Sequence, residues 1–305
     1  MTSSQNPDIS LAHWYAARQR STPVPDSAPG AGMKVAIQGE LGSFSYEAAL
    51  KLVPDAVIVP CSLSADVFAA VAEGIVDAAV VPIENSLAGS VSEHFDLLLA
   101  HDVRVQRETL LRIRHNLIVL PGVQIDEIER VFSHPVALAQ CRSYLARHAK
   151  MDACAFYDTA GSVKQLIALQ DRHAAAIASQ AAEGFYGGHI LEAGIEDNPE
   201  NYTRFFLVRR AADSIADPQA NKISLAFSSE NRPGKLVAAL SGFGALGANM
   251  TKIESRPVHG KPWEYYFYID CQVSSPEIAD AILAALEPHC AMVKELGRYQ
   301  EADRL

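Results

Sequence analysis

The chain is 305 residues long, 49% hydrophobic and 20% charged, the profile of an ordinary globular protein with room for two domains. Its 26 Lys and Arg against 36 Asp and Glu give a formal net charge of -10, which excludes nucleic acid or an anionic membrane surface as its main partner. Five scattered cysteines (Cys61, Cys141, Cys154, Cys271, Cys290) contain no C-x-x-C pair, so neither a disulfide framework nor a zinc site is signalled. The opening MTSSQNPDIS has neither a basic nor an apolar signal region, and no run of about 18 apolar residues occurs, so a cytoplasmic protein without a membrane span is expected.

Residues 1–33 hold a short amphipathic patch (Leu11, Trp14, Tyr15) and then STPVPDSAPGAG, which reads as a flexible leader. From Lys34, short β-like runs at 35–37, 56–59 and 78–81 alternate with helical periodicity at 45–52 and 65–73, the mark of βαβ units and a largely parallel sheet. The turn QGELGSFSYEAA supplies Gly39 and Gly42 for a tight bend and Ser43 and Ser45 at a helix start. Free N–H groups there can hold a carboxylate, and a serine there can equally be a plain helix cap. PIENSLAGSV, at 82–91, follows the third strand, and ligands gather beyond the carboxyl ends of such strands. Glu84 could orient a substrate or relay a proton there, and Asn85 could donate from its amide; a surface turn of Asn, Ser and Gly would look similar.

A helix at 93–100 precedes two extended runs, 103–111 and 113–120, which are expected to pass from one lobe into another. His115, inside the second, reads as structural rather than catalytic, with no second ligand at metal-binding spacing. In FSHPVALAQCRSYL, Ser133 and Gln140 are seven residues apart, two helical turns, so a helix after Ser133 turns Gln140 to the same side. A strand at 153–157 leads into DTAGSVKQL, where Asp158 or Thr159 caps a helix whose free N–H groups could also bind an anion. AAAIASQAAEGFYGG reads as strand then helix, stopped by glycines. IEDNPENYTRFFLVRR, at 195–210, sets a carboxylate-rich loop against an apolar strand with Thr203 at the junction. Beyond a small, polar and proline-containing linker at 211–221, strand, helix, two strands, helix and a last extended piece spell βαββαβ, the ferredoxin-like split unit.

In order along the chain, G-x-x-G-S-F-S, P-I-E-N-S-x-x-G-x-V, I-x-H-x-L, S-H-P-x-x-L-x-Q-C, D-T-A, A-A-I-A-S and N-x-T-R-F resemble the prephenate dehydratase family, over about residues 34–298. Departures are Glu40 where that family has Pro, Val136 for a Gln and Gly188 for a Leu. NMTKIESRP, at 249–257, is similar to the family's ACT module, with Lys235 in Gly234-Lys235-Leu236-Val237 at a small-residue position. The resemblance implies an α/β fold: a two-lobed domain like the type II periplasmic binding proteins at 34–210 and a ferredoxin-like ACT regulatory domain at 222–300. Lobe 1 would span about 34–111 and 189–210, and lobe 2 about 112–188.

The implied reaction is conversion of prephenate to phenylpyruvate by loss of carbon dioxide and hydroxide, toward L-phenylalanine, with no cofactor and no metal. Thr203 would be the catalytic hydroxyl, with Glu84 or a water supplying the proton. Ser43, Asn85, Ser86, Ser133, Gln140, Thr159, Arg204 and Phe205 would contact substrate. L-phenylalanine would bind as effector at Gly234, Leu236, Val237, Asn249, Glu254 and Ser255 between ACT modules paired in a homodimer, itself part of a homotetramer. Two rivals stand beside this: an arogenate dehydratase making L-phenylalanine directly, to which DTAG and LPGVQID look similar, and a non-catalytic binding protein for an aromatic acid.

Overall fold

The structure, a computed structural model, describes residues 32–258, 261 and 263–303, so the leader expected over 1–33 lies outside the described residues except for its last two. In lobe 1, β1 (Lys34–Gln38), β2 (Val57–Cys61) and β3 (Ala78–Asn85) pair in parallel through α1 (Phe44–Leu52) and α2 (Ser64–Ala72), as the alternating pattern predicts. A two-residue strand β4 (Gly89–Ser90) folds back on β3 before α3 (Ser92–Ala100). With β5 (Val103–Arg112) and β11 (Tyr202–Arg210) the sheet order is β2-β1-β3-β11-β5, and β11 runs antiparallel to both its neighbours.

Lobe 2 is a second mixed sheet. Its strands are β6 (Asn116–Val119), β7 (Arg130–Ser133), β8 (Asp152–Ala155), β9 (Ala174–Ala178) and β10 (His189–Ala193), in the order β10-β6-β9-β7-β8. Helices α4 (Pro135–Gln140), α5 (Arg142–Arg147), α6 (Thr159–Leu169) and α7 (Gln180–Tyr186) close a core around Leu117, Phe132, Tyr144, Val163 and Ile177. The expected return to lobe 1 at 189 is therefore placed too early. Strand β10 pairs with β6, and Ile190 and Leu191 pack on the lobe 2 core, so the chain goes back only after residue 193. The lobes touch where Ser179 Oγ donates to the Gly42 carbonyl at 2.8 Å. Gly42 has φ +78°, and a β-carbon on it would lie 2.8 Å from Ala182 Cα, so only glycine allows this approach.

The C-terminal unit has the predicted βαββαβ order: β12 (Lys222–Ser229), α8 (Lys235–Ala245), β13 (Asn249–Pro257), β14 (Tyr265–Gln272), α9 (Pro276–Leu286) and β15 (Met292–Tyr299). Its antiparallel sheet, β13-β14-β12-β15, is covered on one face by α8 and α9 over Ile223, Leu225, Phe227 and Ile269. The other face docks on lobe 1, where Ala226, Tyr268, Leu296 and Tyr299 share one core with Val103, Val105, Phe206 and Val208. Each large side chain buried this way contributes roughly 1.5–3 kcal/mol relative to exposure, so the docked sheet helps hold lobe 1. No helix among the described residues is long and apolar enough to cross a membrane.

Candidate active site

Across β3 and β11, Thr203 stands opposite Asn85, and Arg204 opposite Glu84. Successive strand side chains point to opposite faces. Phe205 and Leu207 pack on the α1 side, and Phe206 and Val208 on the side of the C-terminal sheet. The hydroxyl and amide thus share one face of the sheet, and the arginine and glutamate share the other.

On the first face the hydrogen bonds fix the orientation of each amide. Asn85 Oδ1 accepts from the N–H groups of Leu87 (3.0 Å) and Ala88 (2.8 Å), which makes the other terminal atom the nitrogen. That Nδ2 lies 2.7 Å from Asn201 Oδ1, 2.9 Å from Thr203 Oγ1 and 3.2 Å from the Tyr202 carbonyl. Because the amide donates to Thr203, the hydroxyl proton is left to donate elsewhere. Gln140 Nε2 faces Asn85 Oδ1 at 3.4 Å, so its Oε1 accepts from Asn201 Nδ2 (3.0 Å) and from His115 Nε2 (2.8 Å). His115 then carries its proton on Nε2, and its Nδ1 is a buried lone pair with no donor. Burial lowers the pKa of His115, with the Gln140 contact and the charge of Glu196 opposing, so the ring is neutral near pH 7. Phe44, at the start of α1, meets that ring edge-on with centroids 5.5 Å apart.

Two helix N-termini meet where the lobes face each other. Ser43 caps α1, accepting from Tyr46 N–H at 3.3 Å, and Asp158 caps α6, accepting from Gly161 N–H at 2.7 Å. Thr159 is the first residue of α6, beside that cap. Asp158 reaches lobe 1: a β-carbon on Gly39, which has φ +96°, would lie 2.5 Å from its Oδ2. Next to it Glu40 accepts from Tyr157 Oη (2.7 Å), Lys164 Nζ (2.9 Å) and Tyr186 Oη (3.4 Å).

Burial pushes the Asp158 carboxyl up to about 6; the charge of Glu40 adds to this, and N–H donors from Gly161, Glu40 and Ala160 oppose it. An unfolded aspartate titrates near ~3.9, so the native chain holds this proton to higher pH than the unfolded chain does. Ionised Asp158 therefore costs stability: nothing below about pH 4, more as pH rises to about 6, and a constant amount above. Asparagine caps helices as well as aspartate. Asp158→Asn is expected to melt at a higher temperature than the parent at pH 7.5 and at the same temperature at pH 4, in thermal scans at both.

The opposite face of the strand pair is an ion network with the C-terminal sheet. Glu84 lies 3.3 Å from Arg204 Nη2 and 3.0 Å from Lys252 Nζ, and Arg204 also meets Glu108 (3.2 Å) and Asp270 (2.5 Å). These groups, with Lys222, Thr251 and Glu301, line a cavity of about 180 Å³ between lobe 1 and the C-terminal sheet. Glu84 is therefore no proton relay to Thr203, because strand alternation turns it away from the hydroxyl. Arg204 is likewise no substrate contact, and Phe205, 2% exposed, belongs to the core under α1. Glu84→Gln is expected to keep kcat within about threefold, since only two ion pairs of a partly exposed carboxylate, on the face away from Thr203, are lost; steady-state kinetics check it.

Of the remaining expected contacts, Gln140 joins the Asn85 cluster. Ser86 is used structurally, donating to the Glu200 carbonyl (3.1 Å) and accepting from Tyr202 N–H (3.0 Å). Ser133 is fully buried and donates to the Ile177 carbonyl at 2.6 Å, so it braces β9 rather than facing the cleft. In the C-terminal unit, Gly234 starts α8, Leu236 packs on the core beneath it and Val237 is 72% exposed. Asn249 donates to Gln272 Oε1 at 2.8 Å, and Ser255 is exposed on β13. Glu254, expected beside them, instead faces lobe 1, accepting from Ser92 Oγ at 3.3 Å and pairing with Lys252 at 3.2 Å. Asn201, fully buried at the centre of the amide cluster, was not among the expected site residues, although it is the N of N-x-T-R-F.

A hydroxyl accepting from a fixed amide, and two helix N-termini, lie where two α/β lobes face each other, an arrangement suited to holding a small anionic molecule. Residues 35–213 match the family described as "Prephenate dehydratase". The chain is 39% identical over 280 residues to arogenate dehydratase/prephenate dehydratase 2, chloroplastic, of Arabidopsis thaliana, covering 88% of this chain and 73% of that one. It is 32% identical, with a TM-score of 0.81, to the crystal structure of prephenate dehydratase in complex with L-Phe from Arthrobacter aurescens, covering 89% of this chain and 91% of that one. A third likeness, 31% identical with a TM-score of 0.80 and covering 88% of this chain and 97% of that one, is GqqA, described as a novel type of quorum quenching acylase. The chain belongs to the prephenate dehydratase family, and its chemistry is that of a dehydratase, a carbon–oxygen lyase.

Proposed function

We propose that this chain strips carbon dioxide and the ring hydroxyl from prephenate, or from its amino analogue arogenate, giving phenylpyruvate or L-phenylalanine. The observation that carries the reading is the Asn85 amide donating to Thr203 Oγ1 at 2.9 Å, which frees the threonine proton for the departing oxygen. The bond from C1 to its carboxylate breaks and its electron pair enters the ring. The C4–O pair leaves with the oxygen, and the ring becomes aromatic. A threonine hydroxyl does not titrate near neutrality, so Thr203 stabilises the departing oxygen by hydrogen bonding, and water supplies the proton. The carboxylates of the substrate meet N–H groups at the starts of α1 and α6. The plant relative's name carries both activities, which supports arogenate as well as prephenate. The test is to incubate the purified chain with each acid, following phenylpyruvate by absorbance and L-phenylalanine by amino-acid analysis. Turnover of neither would sink this reading in favour of a solute-binding protein.

The C-terminal unit is read as an ACT module that binds L-phenylalanine between two copies. Its βαββαβ order supports this, as does the L-Phe bound to the Arthrobacter relative. Strand β13 is the open edge of its sheet, with Met250 39% and Ile253 51% exposed, an apolar edge that a second copy would cover. Dimers joined this way pair further into tetramers. Calorimetric titration showing no association with L-phenylalanine, or elution as a monomer in its presence, would remove this part.

A further inference from the structure

Resting on the dehydratase reading, the choice between the two acids turns on the charges at one end of the cleft. Prephenate and arogenate differ at one carbon: the first carries a neutral keto oxygen in its side chain, the second an ammonium. That carbon hangs from C1, across the ring from the C4 oxygen. With Thr203 at the C4 oxygen, the side chain therefore lies at the other end of the cleft. The contacts lead there step by step. Asn85 joins Thr203 to Gln140, Gln140 holds His115, and His115 meets Phe44 at the start of α1. Ser43 caps that helix, and the turn before it, at Gly39, rests against the carboxylate of Asp158.

The charges at this end suit a zwitterion. The N-termini of α1 and α6 favour a carboxylate. Asp158 stands among them as a partly buried carboxylate that accepts from the N–H groups of Gly161, Glu40 and Ala160, and the one charged side chain among the main influences on it is the like-charged Glu40. The nearby ammonium, Lys164, is already engaged by Glu40 at 2.9 Å. Against a keto acid this placement sets the Asp158 carboxylate beside the substrate's own carboxylate, with no ammonium between them. Against an amino acid it sets a carboxylate beside an ammonium with anion-holding N–H groups next to it, a charge-assisted pairing. The Nδ1 of His115, buried and without a donor, is a second unsatisfied polar atom along this line of contacts. The stability cost of the ionised carboxylate fits a residue kept for binding.

We propose that Asp158 is a specificity-determining residue that binds the side-chain ammonium and makes arogenate the preferred substrate.

The experiment compares the parent with Asp158→Asn, which keeps the helix cap and removes the charge, using kcat/KM for both acids at pH 7.5. Asp158→Ser, also a good cap, is the second variant. Loss of a hydrogen bond to a charged group is expected to lower the arogenate-to-prephenate ratio about 10- to 100-fold in both variants, mostly through KM for arogenate. A merely structural cap would lower both acids alike and leave the ratio where it was, and that result overturns the assignment. A parent enzyme that consumes prephenate and ignores arogenate overturns it too, while leaving the dehydratase reading intact. Turnover of neither acid by the parent overturns both.

Discussion

Thr203→Ala is expected to lower kcat by about 10²- to 10³-fold without unfolding the protein, the size of effect seen when a preorganised donor to a developing oxyanion is removed. Thr203 is 8% exposed, near the start of β11, and its backbone is held in the sheet on both sides, by Asn85 and by Leu111. Truncation leaves those ladders intact, and the Asn85 amide keeps Asn201 Oδ1 and the Tyr202 carbonyl as acceptors. Thr203→Val, which preserves shape and drops the hydroxyl, should match the alanine variant. Thr203→Ser should stay within about tenfold of the parent. Asn85→Ala removes the group that aims the hydroxyl, so its effect and that of Thr203→Ala should fall well short of multiplying in the double variant. Circular dichroism would show each variant folded. A folded alanine variant with near-parental kcat would remove Thr203 from the chemistry.

Much of this arrangement was legible in the chain itself. The alternation of β-like and helical runs gave lobe 1, and the βαββαβ order gave the C-terminal unit, because hydrophobic periodicity is local. Pairing partners are not local. Nothing in HILEA says which sheet it joins, and β10 pairs with β6 of lobe 2 because Ile190 and Leu191 find their apolar surface there. The site shows the same division. Thr203, Asn85 and Gln140 stood out as polar residues at element ends, where side chains reach a cleft. Glu84 and Arg204 were misread for a reason the sequence itself contains: each adjoins a cleft residue on a strand and so must face the other way. What lies on that other face depends on the docking of the C-terminal sheet, whose Asp270 is 66 positions beyond Arg204, and no local pattern reports it. Asp158 was visible as a helix cap and as the first residue of the DTAG run; its approach to Gly39 appears once the two lobes are brought together.

That docking interface sets the second large effect. Arg204→Met is expected to destabilise the protein by about 3–5 kcal/mol, because it leaves buried carboxylates with too few cations. Glu108 and Asp270 are nearly fully buried, and Arg204 is the group that bonds both, at 3.2 and 2.5 Å. Burial disfavours the charge on Arg204, but Asp270, Tyr299 and Glu108 outweigh it and raise its pKa, so it stays ionised. After the substitution Glu108 keeps Lys222 at 2.9 Å, and Asp270 keeps the Ser224 hydroxyl at 2.6 Å but, among the described residues, no ion pair. The larger part of the loss therefore comes from Asp270. Arg204→Lys restores a charge but not the fork that reaches three carboxylates at once, so it should recover only part of the stability. Adding Asp270→Asn to Arg204→Met should recover part of it as well, since the stranded charge is gone, and a double-mutant cycle in urea measures that coupling. A loss below about 1 kcal/mol for Arg204→Met would mean that water screens the network as it does surface pairs. In that case the reverse face of β3 and β11 would be held by the apolar contacts of Tyr268, Leu296 and Tyr299 alone.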